Sequence, residues 1–454
     1  MKETIRIASG QGFWGDLPEA PFQQVTKGPV DYLVMDYLAE VTMSILQKQK
    51  RRDPSMGYAK DLVPLMERIL PIIVEKKIGV ITNGGGVNPA SCRDAIFKVA
   101  KKLGIKEIAI GLVMGDDILE RLDGFIAGGI PFANMETGEP VASVRPNLMS
   151  ANVYFGAAPI AEALRQGAQI VITGRTTDTG LTLAPMMFEF NWSETDWDKL
   201  AAGTVAGHIL ECGAQSTGGN FSGDWESVPD LAHVGFPIAE AYPHGDIVIT
   251  KHENTGGVVS EATVKEQLLY EIGDPRSYIT PDVVADFTTI RLEQSGKDRV
   301  RVFGVKGRQA PESYKVSMSH LDGYTAFGTL TYAWPDAMKK ARKADEILRT
   351  RLADLALQFD ELRSEFLGYN SCHGPLSEPV EPSNEVVLRI GVRSRDRDAV
   401  ERFGREIAPL ILTGPPAVTG FAGGRPRPSE VIAYWPALMP RSMVTPQVHV
   451  KRLQ

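Results

Sequence analysis

The sequence predicts an α/β fold: a mainly parallel α/β layer at the amino-terminal end, an α+β region after it, and a small α+β domain at the carboxyl-terminal end. Three observations carry this. Short apolar strands alternate with helical stretches as far as about residue 190, and these strands end in loops bearing glycines, carboxylates or an arginine. Period-two alternation, which marks half-exposed antiparallel strands, enters only after Asp274-Pro275. With 454 residues and 43% hydrophobic content, the chain exceeds what one core usually holds. Domains are expected over 1–275, 276–380 and 381–454.

Residues 5–8 read as the first strand, and Gly10, Gly12 and Gly15 after it satisfy the dinucleotide-binding glycine pattern. That pattern needs a helix opening among the glycines, and Pro18, Pro21 and Pro29 interrupt it, so no nicotinamide cofactor is expected. Residues 32–35 form a second strand ending at Asp36, followed by a helix over 38–48. A helix over 59–76 leads to the strand 78–81 and to Asn83, Gly84, Gly85 and Gly86. Three glycines in a row imply either a backbone close to a ligand or a turn with positive φ angles. A helix over 90–103 and a strand over 107–113 end at Asp116 and Asp117, and a helix over 151–167 feeds the strand 170–172. Right-handed crossovers between parallel strands put all these strand ends on one edge.

The polar residues concentrate in two loops. In the first, Gly174 and Gly180 bracket Arg175 and Asp178. Arg175 offers a planar fork for a carboxylate or phosphate, and Asp178 orients that fork or acts as a base; the plainer alternative is an ion pair that ties the loop down. The second carries His208, Glu211 and Cys212 at the end of a helix, with Gly218 and Gly219 beyond. His208 shares a helical face with Glu211 or with Cys212, which suits proton relay or a held thiolate and equally suits a packed, structural histidine. The spacing is not one that tetrahedral zinc sites favour. His233, His244 and His252 are irregularly spaced, so a metal there depends on the fold, and Lys251 precedes a helix over 263–272 whose amino end suits an anion.

Beyond Asp274 come alternating runs at 299–303 and 314–318, then a long helix over 337–357. Pro375, Pro379 and Pro382 suggest a boundary, followed by a strand over 385–392, a helix over 397–410 and a Gly/Pro-rich loop over 415–428. A net charge of −7 without a basic stripe argues against nucleic acid as a partner. The amino-terminal stretch lacks a signal-peptide core and no apolar run reaches membrane-spanning length, so no membrane association is expected. Three scattered cysteines argue against a disulfide framework, and a cytoplasmic location is the expectation.

The stretches 31–40, 81–89, 151–164, 170–185, 206–219, 235–240 and 255–288 together resemble the acyclic terpene utilisation family, over most of residues 3–380. The remainder looks like the small ferredoxin-like domain that often follows it. The resemblance implies catabolism of branched acyclic terpenoids or related acids through coenzyme A thioesters, so coenzyme A enters as part of the substrate. On that footing the expected activity is a hydratase or carbon–carbon lyase working as a homo-oligomer. In this reading His208, Glu211, Cys212 and Asp178 are catalytic. Arg175, Asp36, Asn83, Asp116 and Lys251 bind substrate, and the amides at Gly84, Gly85, Gly218 and Gly219 stabilise an enolate-like oxygen. The alternative is a non-catalytic acyl-binding or scaffold subunit.

Overall fold

The structure is a computed structural model and describes residues 2–378, 383–420 and 423–453. It divides into two compact units, one of Met1–Ser319 with Tyr434–Gln454 and one of His320–Ala433.

The first unit opens with β1 (Ile5–Gln11), α1 (Ala20–Lys27), β2 (Tyr32–Met35), α2 (Thr42–Arg52), α3 (Leu62–Lys76), β3 (Gly79–Thr82), α4 (Pro89–Lys102) and β4 (Ala109–Met114). It continues through α5 (Leu122–Ala127), β5 (Leu148–Val153), α6 (Ala158–Arg165), β6 (Ile170–Thr173), α7 (Gly180–Glu189) and α8 (Trp197–Leu210). Then come β7 (Ile238–Ala241), β8 (Ile247–Thr250), α9 (Glu261–Leu269), β9 (Tyr278–Ile279), β10 (Val284–Asp286), β11 (Arg291–Gly296), β12 (Arg299–Phe303) and β13 (Lys306–Arg308).

The long strand β14 (Ser313–Ala333) leads into the second unit, which holds α10 (Ala337–Asp354), β15 (Glu361–Leu367), β16 (Glu385–Ser394), α11 (Arg397–Ile407) and β17 (Val418–Gly420). The chain returns along β18 (Ser429–Pro440) and finishes with β19 (Gln447–Arg452) in the first unit.

A ten-stranded sheet in the order β11-β12-β8-β7-β1-β2-β3-β6-β4-β19 organises the first unit. Its central five strands, β1, β2, β3, β6 and β4, run parallel. β2, β3 and β6 are buried throughout, because parallel strands are covered on both faces. One covering layer packs Leu62, Met66, Ile69 and Ile73 of α3 with Ile96 and Phe97 of α4. The other packs Ile160 of α6, Leu183 of α7 and Val205 and Ile209 of α8. This is an α/β layer with a core on each side.

The expected class is therefore the observed one, with three differences. Antiparallel strands flank the parallel centre on both sides, β7 and β8 at one side and β19 at the other. Residues 151–153 were expected to open a helix and belong instead to β5, because β5 pairs with the distant β14 while Asn152 bridges to Asp117 and binds Asp116, contacts that no local propensity encodes. The carboxyl-terminal segment 381–454 is not one body: β16 pairs with β14 and β15, whereas β19 pairs with β4.

Within the second unit the elements follow the order β-α-β-β-α-β, and the strands lie as β15-β16-β14-β17. Ala341, Ala344 and Leu348 of α10 and Val400, Phe403 and Ile407 of α11 bury one face of this antiparallel sheet. Pro379 and Pro382, read as part of a boundary, lie outside the described residues, as do two residues of the 415–428 loop. Among the described residues no helix is long and apolar enough to cross a membrane.

Candidate active site at the carboxyl edge of the parallel strands

Asp36, Asn83, Asp116 and Arg175 follow β2, β3, β4 and β6, so the parallel centre brings all four to one sheet edge, where α/β proteins bind ligands. They also touch. Asn83 is fully buried, donates to Asp36 Oδ1 at 2.7 Å and accepts the Tyr37 amide at 2.8 Å. Asp116 Oδ2 accepts the Arg175 amide at 2.8 Å and Asn152 Nδ2 at 2.9 Å. Gly174 has to be glycine, since a Cβ there would stand 2.4 Å from Asp116 Oδ1.

Arg175 is only 1% exposed. Its guanidinium donates to the Leu38 carbonyl, to the Thr176 carbonyl and to Asp178 Oδ1, and lies 4.3 Å above the Tyr154 ring. Burial works against the cation, but Asp178, Tyr154, Asp36 and Glu40 together hold it charged above the ordinary arginine value. A clamp needs free donors facing solvent, and this fork faces inward. The geometry therefore favours the alternative in which Arg175 ties its own loop and neutralises the carboxylates around it.

Those carboxylates are the chemically active feature. Asp178 is hydrogen-bonded to Asp36, while 37% of its side chain reaches solvent. Two carboxyl groups in hydrogen-bond contact cannot both be ionised, so the pair holds one proton. Burial raises Asp36 against the pull of Arg175, and burial with the neighbouring Asp36 and Glu40 raises Asp178. Asp116, which accepts the Arg175 amide, is pushed up to about 7, chiefly by burial.

The helix α8 delivers the second group. Gly207 lets α8 approach closely, because a Cβ there would stand 2.5 Å from Thr179 Cα at the end of the Arg175 loop. His208, two percent exposed, holds Glu211 Oε1 at 2.7 Å through Nδ1, while Nε2 is buried without a partner and the ring lies 5.4 Å from both Tyr278 and Phe287. Burial opposes the imidazolium, yet the Glu211 carboxylate outweighs it and His208 is raised; burial likewise raises Glu211 against the pull of His208. The pair formed is thus His208 with Glu211. Burial and then Glu211 push the Cys212 thiol up to about 12, which removes the thiolate that a nucleophile requires.

The glycine loops serve packing. A Cβ on Gly85 would meet the Thr173 carbonyl at 2.6 Å and one on Gly86 would meet Leu46 at 2.3 Å. The amides of Gly84, Gly86, Gly218 and Gly219 bind Thr82 Oγ1 and the Asn83, Gln215 and Ala214 carbonyls, so they do not form an oxyanion site. Gly12, in the apparent dinucleotide pattern, packs on the 211–213 turn, where a Cβ would stand 2.8 Å from the Glu211 carbonyl.

Lys251 does not join this group. Its amine donates to the Thr255 carbonyl at 2.9 Å and pairs with Asp298 at 3.4 Å, in the wall of a cavity that none of the strand-edge groups lines. His233 binds Asp230, His244 pairs with Asp246 and His252 meets the Gln24 carbonyl, so these three do not converge. Sequence reasoning missed Glu40, Tyr154 and Tyr278. Glu40 could have been found by extending the strand-end rule four residues past Asp36, whereas Tyr154 was hidden by the misassigned helix.

No curated protein sequence matches the chain. A family model does: the one for acyclic terpene utilisation family protein AtuA covers residues 5–450, and its span includes the strand-edge cluster and both units, so the chain belongs to the acyclic terpene utilisation family.

Proposed function

We propose that the protein is a catabolic enzyme of acyclic terpene utilisation that moves a proton on a branched acyclic carboxylate or its coenzyme A thioester, as a hydratase or carbon–carbon lyase. One observation carries the reading: the paired carboxyl groups of Asp36 and Asp178, with Asp178 reaching solvent beside a buried arginine. A carboxyl raised in this way by burial and a neighbouring carboxylate suits general acid–base chemistry. In this mechanism Asp178 exchanges the proton with substrate and Asp36 stores it. Arg175 keeps the remaining negative charge in place, and Glu211 backed by His208 supplies a second acid–base group. Both hydration and carbon–carbon cleavage beside a carbonyl need these transfers.

The rival reading, a non-catalytic acyl-binding or scaffold subunit, draws on the inward-facing Arg175 fork, which leaves the substrate's acidic end without an obvious partner. The two separate on isotope exchange. Branched unsaturated acids and their coenzyme A thioesters, incubated with the protein in D₂O and analysed by mass spectrometry, should gain deuterium or the mass of water. Asp178→Asn should lower that rate on the order of a hundredfold or more, compared per folded protein because the variant also loses its ion pair with Arg175. Absence of exchange across the panel with wild-type protein would leave the scaffold reading standing, and an unaltered rate in the variant would remove Asp178 from the mechanism.

A further inference from the structure

A cavity of about 830 Å³ opens at the end of β8 around Lys251. Its walls carry Arg6, Lys27, Lys251, Lys297 and Arg299. Against these five cations stand Glu253 and Asp298 in the walls and Glu240, which binds both arginines. Five positive charges and three negative leave a surplus of two in a protein whose net charge is −7.

The surplus is not distributed at random. Arg6 and Arg299 are tied by their shared Glu240. Lys27 and Lys297 are exposed and have no partner among the described residues. Lys251 is 8% exposed, and its ammonium, which has three N–H donors, meets one carbonyl and one carboxylate. Two partners for three donors leave one N–H of this ammonium for a ligand.

We propose that this cavity binds a small molecule bearing a phosphate group, held by Lys27, Lys251 and Lys297. A phosphate monoester carries roughly 1.5 to 2 negative charges at neutral pH, which matches the surplus, whereas a single carboxylate carries one. The volume lies within the range of small-molecule sites and exceeds what a bare phosphate fills, so an organic portion shares the space. This inference is independent of the reading of the Asp36–Asp178 site.

Isothermal titration with ADP, with pyrophosphate and with citrate tests it on the full chain. ADP and pyrophosphate should bind, and Lys27→Ala with Lys297→Ala in one protein should weaken both at least tenfold at an unchanged melting temperature. These two side chains are exposed, so the double variant remains informative even where Lys251→Met fails to fold. Rising sodium chloride should weaken binding in the wild type more than in the double variant. Citrate binding as tightly as ADP, no heat from either phosphate compound at millimolar concentration, or identical affinities in wild type and variant would each overturn the proposal.

Discussion

At the scale of single residues, the site is governed by what burial does to charge. Arg175 lies beneath a group of carboxylates with its N–H groups turned toward Leu38, Thr176 and Asp178. Lysine keeps the charge and loses the fork and the stacking on Tyr154. Arg175→Lys should therefore cost about 1–3 kcal/mol in urea unfolding, the usual penalty when buried acceptors lose their donor. A variant as stable as wild type would show that the loop does not depend on the fork. Cys212→Ser should retain activity with a modest loss of stability, because a thiol pushed up to about 12 is not ionised at neutral pH. Asp116 titrates at about 7 when folded against an ordinary value of 3.8. The folded state then binds more protons than the unfolded state across that window, so stability is greatest at the acidic end and falls as pH rises toward 7. The loss should be on the order of 1 kcal/mol per pH unit. Asp116→Asn, which preserves an acceptor for Arg175 N–H and Asn152, should flatten that slope in melts taken from pH 4.5 to 7.5.

At the scale of elements, close approach decides which glycines are required. Gly85 sits where β3 ends beside β6, and the atom nearest an added Cβ is the Thr173 carbonyl at 2.6 Å, a backbone group that cannot turn aside. Gly85→Ala should destabilise the protein by about 1–3 kcal/mol, the usual cost of overpacking. Gly104→Ala makes a useful contrast: nothing lies within 4 Å of its Cβ, and its φ of +72° leaves only the backbone penalty. Thermal melts of the two should separate packing from conformation. Helix α8 shows the same principle used for positioning, since Gly203 and Gly207 lie against Leu183 and Thr179 and so bring His208 and Glu211 toward the Arg175 loop.

At the scale of the whole molecule, the last strand completes the first sheet. Six residue pairs join β19 to β4, and Leu453 beyond it is buried against the α3–α4 layer. Truncation after Thr445 would leave β4 as an exposed edge, with unpaired N–H and C=O groups and apolar residues on both faces. The truncated protein should melt several degrees lower and scatter light on standing at concentrations where the full chain stays clear. Equal stability and solubility would mean that β19 is an accessory strand.

The sequence by itself determined the α/β class and the strand ends on which the site is built. Apolar runs of four to six residues and the loops after them are local patterns, and parallel connectivity carries Asp36, Asn83, Asp116 and Arg175 to one edge whatever the details. The i, i+3 spacing likewise made the His208–Glu211 contact legible. Tertiary structure decided the rest. Only packing shows that Arg175 turns inward, that the amides of Gly86, Gly218 and Gly219 meet carbonyls of their own turns, and that Lys251 lines a cavity away from Arg175. Residues 151–153 became a strand by pairing with β14 and through Asn152 and its bonds to the 116–117 pair, and 447–452 joined a strand more than three hundred residues away. The physical reason is common to all of these. A side chain's type states which bonds it is able to make, whereas burial and the position of its neighbours decide which of those bonds remain for a ligand.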